Sequence, residues 1–147
     1  MMMKTELIRI YDPAEDADGV LRAGDILSHG GMVAIPTETV YGLAANAYDE
    51  AAVKAVYAAK GRPGDNPMIV HIADLSALPV ARAVIRAAGV PLAAPSANRS
   101  GSPSPTSYRH CIDDLWGLVD AIVESDDCTV GVESTVLSFL PDGTPQI

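Results

Sequence analysis

The 147-residue chain predicts one α/β domain: a twisted, mixed sheet with flanking helices. Three observations predict it. Short apolar runs alternate along the chain with stretches whose apolar residues recur at helical spacing. Glycine, often with proline nearby, closes the helical stretches. A 48% hydrophobic content in 15.3 kDa suits one buried core, and neither a repeat nor a compositional break divides residues 1–147 into two domains.

Taken in order, Thr5 to Ile10 reads as a first strand, followed by an acidic turn around Asp12 to Asp18. Val20, Ala23 and Leu27 share a face and predict a helix over 20–29 that Gly30-Gly31 ends. Met32 to Pro36 is a buried strand that runs into a polar turn bearing Thr37, Glu38, Thr39 and Tyr41. Asp49 is placed to cap a helix whose apolar face is Ala52, Val53, Val56 and Tyr57, with Gly61 and Pro63 as its stop. Lys60 then sits on the last turn and Arg62 just beyond it. Met68 to Ile72 alternates as a half-buried strand does, and Val80, Val84 and Ala88 predict a helix over 76–88. Val90 to Ala94 is a short strand leading into a loop rich in Ser, Pro and Gly. Ser104-Pro105 reads as the cap and first residue of a helix over 105–116. Val119 to Val123 and Ser134 to Leu140 are strands. Pro141-Asp142-Gly143 is a turn, and 145–147 opens a return strand.

A formal net charge of −9 counts against a surface that grips a nucleic-acid backbone. Lys60, Arg62 and Arg99 nevertheless lie inside the polar motif stretches, where an anion could bind. Cys111 and Cys128 have no metal-ligand spacing, no metal site is expected, and two thiols make no disulfide framework, so a reducing, cytoplasmic setting is expected. With no run of about 18 apolar residues and no basic, apolar leader, neither a membrane span nor a signal peptide is expected.

A nucleotide needs donors for phosphate oxygens, nearby positive charge and a backbone that can approach closely. The loop carrying Ser96, Asn98, Arg99, Ser100 and Gly101 offers all three. Lys60 and Arg62 form a second cationic pair, although a lysine at a helix end equally well complements the dipole. Ser134 could add a hydroxyl from the start of a strand. His71 on an alternating strand is more often a hydrogen-bonded core residue than a functional one. His29 and His110 read as surface residues, and His110 diverges from Cys111 on a helix, which argues against cysteine nucleophile chemistry. Neither Gly-x-Gly-x-x-Gly nor the P-loop pattern is present.

Four stretches, in this order, resemble one family. They are Pro36-Thr37-Glu38-Thr39-Val40-Tyr41-Gly42-Leu43; Lys60-Gly61-Arg62-Pro63 with Asn66-Pro67 and His71-Ile72; Ser96-Ala97-Asn98-Arg99-Ser100-Gly101; and Gly131-Val132-Glu133-Ser134-Thr135-Val136. They are similar to the YrdC-type threonylcarbamoyl-AMP synthases over most of the chain from about Gly31. The resemblance implies a YrdC-like fold and a nucleotidyl transfer from ATP, L-threonine and bicarbonate to threonylcarbamoyl-AMP and pyrophosphate. A downstream transferase would then modify tRNA. It implies that Lys60 and Arg62 act in catalysis and that Lys60, Arg62, Asn66, Ser96, Asn98 and Ser134 hold ATP with Mg²⁺. Thr37 and His71 match positions lining the threonine pocket. The competing expectation is a non-catalytic RNA-binding module that contacts tRNA weakly. A third reading is a related carbamoyl-adenylate domain that uses carbamoyl phosphate.

The chain also departs from that pattern. Family members carry further residues between the His71 strand and the Val80 helix, including a Trp-Pro-Gly-Pro-Leu-Thr stretch and an Arg-x-Pro motif. Neither occurs here, and the only tryptophan is Trp116. A seam near Leu78-Pro79 is expected, with weak or absent activity and exposed sheet edges as its consequences.

Overall fold

The computed structural model describes residues 3–61, 70–71, 79–128 and 138–146. The elements are β1 (Glu6–Arg9), α1 (Ala17–Ser28), β2 (Val33–Pro36), β3 (Tyr41–Asn46), α2 (Glu50–Lys60), β4 (Val70–His71), α3 (Pro79–Ala88), β5 (Leu92–Ala93), α4 (Tyr108–Leu115), β6 (Ala121–Glu124), β7 (Ser138–Phe139) and β8 (Pro145–Gln146). Among the described residues, six strands form one sheet in the order β1-β6-β2-β3-β5-β4, and β7 and β8 pair as a separate hairpin. β1, β6 and β2 run parallel, whereas β3, β5 and β4 are joined antiparallel. The expected mixed sheet is therefore present.

Helices cover both faces, and the period of two along each strand divides the core between them. Val33 and Ile35 of β2, Ala44 of β3, and Ala121 and Val123 of β6 pack with Val20, Leu27, Val84 and Ile85 of α1 and α3. Ala34, Leu43, Ala45 and Ile122 face the other way, onto Ala52 and Val56 of α2 and Cys111 and Leu115 of α4. Among the described residues, no helix is long and apolar enough to cross a membrane.

α1 begins at Ala17, within the stretch expected as an acidic turn, and two further elements differ from the sequence reading. β3 forms where only a turn is expected: the chain reverses at once, pairing Pro36 with Tyr41 and Val33 with Ala44. Tyr-Gly-Leu-Ala-Ala shows no alternation because all five residues are buried. α4 starts at Tyr108 with Ser107 as its cap, not at Pro105. Ser107 accepts the His110 N–H, while the Pro105 carbonyl accepts the Tyr41 N–H at 2.9 Å, which holds Pro105 against β3 instead of in a helix. The cap of α2 is as expected: Asp49 accepts the Ala52 N–H, and Gly61 ends the helix at φ +66°.

α1 and α3 touch through Gly24. A Cβ built there would lie 2.6 Å from the Ala87 Cβ and 2.7 Å from its carbonyl carbon. Gly24→Ala gains up to about 1 kcal/mol of helix propensity, but backbone cannot yield cheaply and overpacking costs about 1–3 kcal/mol. The expected result is a lower melting temperature; an increase would mean the helices separate freely.

Candidate functional site

The carboxyl ends of β1, β6, β2 and β5 share one rim of the sheet, since β3 runs opposite to β2 and β5 opposite to β3. Such a rim is where an α/β sheet carries its chemistry. The link from β2 to β3 is a tight turn closed by Thr37. Its hydroxyl donates to the Val40 carbonyl and accepts the Thr39 and Val40 N–H groups at 3.3 Å. Thr37 is buried at this turn, which it shapes.

Tyr41, fully buried, anchors the base of the neighbouring loop. Its carbonyl accepts the Ala97 N–H at 2.8 Å and its N–H donates to Pro105, so one residue pins both ends of the 97–105 segment. Its phenol donates to the Val123 carbonyl at 3.2 Å, and burial drives its pKa far above the ordinary tyrosine range.

Lys60 is the central finding. At the end of α2 it is only 3% exposed, and its ammonium donates to the Ser96 carbonyl and, at 2.8 Å, to the Asn98 carbonyl. Its own carbonyl accepts the Ser100 N–H at 2.8 Å. Asn98 Nδ2 donates to the Arg99 and Ser102 carbonyls at 2.8 and 2.7 Å, while its buried Oδ1 has no hydrogen-bond partner. The loop is thus strapped over a buried cation, with the half-buried Ser96 and the exposed Arg99 and Ser100 on its outer side. The arrangement presents positive charge beneath a polar loop, which suits an anionic ligand.

The structure therefore brings Lys60, Ser96 and Asn98 into one corner, with Thr37 on the same rim. His71 pairs in register with Leu92 of β5, the strand that leads to Ser96; only its backbone is described. Arg62, Asn66 and Ser134 lie outside the described residues. Sequence reasoning missed Tyr41 as the loop anchor. It also missed Asp114 of α4, whose carboxylate accepts the Arg99 N–H at 3.0 Å. Tyr41 lies inside a motif already noted; Asp114 shows no signal because its partner comes from a distant loop.

Cys111 is fully buried, and burial pushes its thiol up, out of the reactive range. Cys128 lies beside the Thr37 turn and donates its N–H to the Thr106 carbonyl at 2.8 Å. Burial also raises its thiol, partly offset by the Thr37 N–H. An aromatic disulfide reagent at about pH 8 is expected to label Cys128 slowly and Cys111 only on unfolding. Two fast-reacting thiols in the native protein would contradict this.

A family model named for Sua5, YciO and YrdC, described as "Telomere recombination", matches residues 25–79 and 75–147. The threonylcarbamoyl-AMP synthase of Bacillus subtilis is 39% identical over 84% of this chain and 51% of its own length. That alignment spans 175 positions, yet 84% of 147 residues is about 123, so about 50 positions of the relative have no counterpart here. A crystal structure of Pyrococcus abyssi Sua5 complexed with L-threonine superposes with a TM-score of 0.81 at 32% identity, covering 92% of this chain and 54% of that one. Escherichia coli YciO shares the fold at 19% identity, with a TM-score of 0.79 over 99% of this chain and 94% of its own. The chain spans about half the length of the first curated relatives it matches.

Proposed function

Because the chain belongs to the Sua5, YciO and YrdC family, we propose that its Lys60, Ser96 and Asn98 corner holds ATP for the threonylcarbamoyl-AMP synthase reaction. The L-threonine amine forms an N–C bond to bicarbonate with loss of water, giving N-carboxy-threonine, whose carboxylate oxygen attacks the α-phosphorus of ATP. The bond from that phosphorus to the bridging oxygen breaks, pyrophosphate leaves, and threonylcarbamoyl-AMP remains for transfer to tRNA by a downstream enzyme. The observation that carries this reading is the Lys60 ammonium, which joins two motif stretches through the Ser96 and Asn98 carbonyls.

In this reading Lys60 sets the loop and places a buried positive charge beneath the phosphates, where low dielectric strengthens it. Arg62, Asn66 and Ser134 complete the nucleotide contacts, and Thr37 and His71 line the threonine side. The Pyrococcus Sua5 complex with L-threonine supports threonine as the ligand of this fold. Mg²⁺ bound with ATP would supply charge neutralisation at the phosphate oxygens. The partnerless Oδ1 of Asn98 is an oxygen acceptor of the kind such a hard cation takes, and among the described residues no group of three acidic, His or Cys side chains offers an alternative.

This single domain further lacks a central segment near residues 78 and 79. In support, the two stretches of the family match meet at 75–79, and the alignment with the Bacillus relative carries the unmatched positions. ATP binding is expected to survive this loss while turnover does not. Titrating the chain with Mg-ATP by calorimetry tests the first half: binding near one equivalent, weakened about tenfold or more by Ser96→Ala, is expected. No heat and no competition by pyrophosphate would overturn it.

A further inference from the structure

His110 and Asp114 stand four residues apart on α4 and so share one face. His110 Nδ1 accepts the Thr106 N–H at 3.3 Å, which requires a lone pair on that nitrogen, and Asp114 Oδ2 accepts the Arg99 N–H at 3.0 Å. These two amides bracket the outer arc of the loop, residues 99–106. The arc is itself closed by the Ser102 N–H on the Arg99 carbonyl at 3.0 Å. The acceptors sit on a firm support, because Cys111 and Leu115 of the same helix are fully buried and Ser107 caps it.

We propose that His110 and Asp114 are positioning residues that hold the outer arc of the loop in the shape the nucleotide requires. The inference rests on the nucleotide reading above. Lys60 secures the inner flank through Ser96, Asn98 and the Ser100 N–H, and α4 secures the outer flank. The Arg99 N–H and the Asn98 carbonyl that accepts the Lys60 ammonium belong to the same peptide unit, so releasing that N–H frees a peptide held by Lys60. Attraction cannot explain Asp114: a carboxylate beside an anion site repels the ligand, and its hydrogen bond to the loop outweighs that repulsion.

Opposite effects separate the two roles. Asp114→Ala removes both the acceptor and the charge, whereas Asp114→Asn removes the charge alone; His110→Asn keeps an acceptor near the Nδ1 position that His110→Ala lacks. Each variant is titrated with Mg-ATP, with thermal melting and amide exchange at Arg99 and Thr106 measured alongside. Asp114→Ala is expected to weaken ATP about tenfold and to speed Arg99 exchange, with Asp114→Asn within about twofold of wild type and the melting temperatures close. His110→Ala is expected to speed Thr106 exchange, with His110→Asn restoring it. Equal ATP binding by wild type and Asp114→Ala, or tighter binding by both Asp114 variants, overturns the inference and leaves the nucleotide reading intact. A wild-type chain that binds no Mg-ATP removes the nucleotide reading, and the inference falls with it.

Discussion

Lys60→Ala is expected to abolish detectable Mg-ATP binding and to destabilise the fold by about 2–4 kcal/mol. The alternative, a lysine that merely complements a helix dipole, would be worth about 0.3–1 kcal/mol at an exposed helix end. Exposure of 3% and two carbonyl partners decide between them. Truncation leaves the Ser96 and Asn98 carbonyls without their donor, and an unpaired buried acceptor costs about 1–3 kcal/mol. Lys60→Met keeps the stem and loses the same donor, so it should resemble alanine in binding but melt higher. Lys60→Arg is expected not to rescue, because a planar fork cannot converge on two carbonyls that a compact ammonium bridges. Denaturant unfolding and nucleotide titration of the three variants check this. A Lys60→Ala protein as stable as wild type and binding ATP normally would return the lysine to the dipole role.

What could be read from the chain followed the range of the interactions involved. Asp49 and Gly61 were legible because a cap and a left-handed stop act within one turn of their own helix. The buried strand at 33–36 was legible from its apolar run, but β3 was not, since a strand covered on both faces loses the alternation that identifies one. Ser104-Pro105 carried a valid local start signal that lost to the Tyr41 N–H on the Pro105 carbonyl, a contact from 64 positions earlier. The candidate site divides in the same way. The residue types of Ser96, Asn98 and Lys60 pointed to a phosphate-friendly loop. That Lys60 lies beneath that loop, spending its ammonium on backbone, depends on a contact across 36 positions that no local pattern encodes. Asp114 was illegible for the same reason, its partner lying on the loop 15 positions earlier; His110, four positions from Thr106, read as a surface residue.

Turnover is expected to separate from binding. With saturating Mg-ATP, L-threonine and bicarbonate, pyrophosphate release is expected to fall at least about a hundredfold below that of a full-length relative, the scale of losing one preorganised charge-stabilising contact. Adenylation requires more than a held nucleotide: the carboxylate must sit in line with the α-phosphorus, and correct placement alone can be worth several powers of ten. The proposed gap near residues 78 and 79 removes the Arg-x-Pro segment that the family resemblance assigns to substrate. Among the described residues, β4 (Val70–His71) stands at the border of the sheet with β5 as its partner. Lys60 and Tyr41 precede that gap and the 96–106 loop follows it, yet their contacts are made, so the corner forms with the two sides joined directly. Restoring a relative's central segment between Leu78 and Pro79 is therefore expected to raise turnover with little change in ATP affinity. Threonine- and bicarbonate-dependent pyrophosphate release at the full-length rate, abolished by Lys60→Ala, would show that the corner and the described rim suffice for the chemistry and that the central segment serves another purpose.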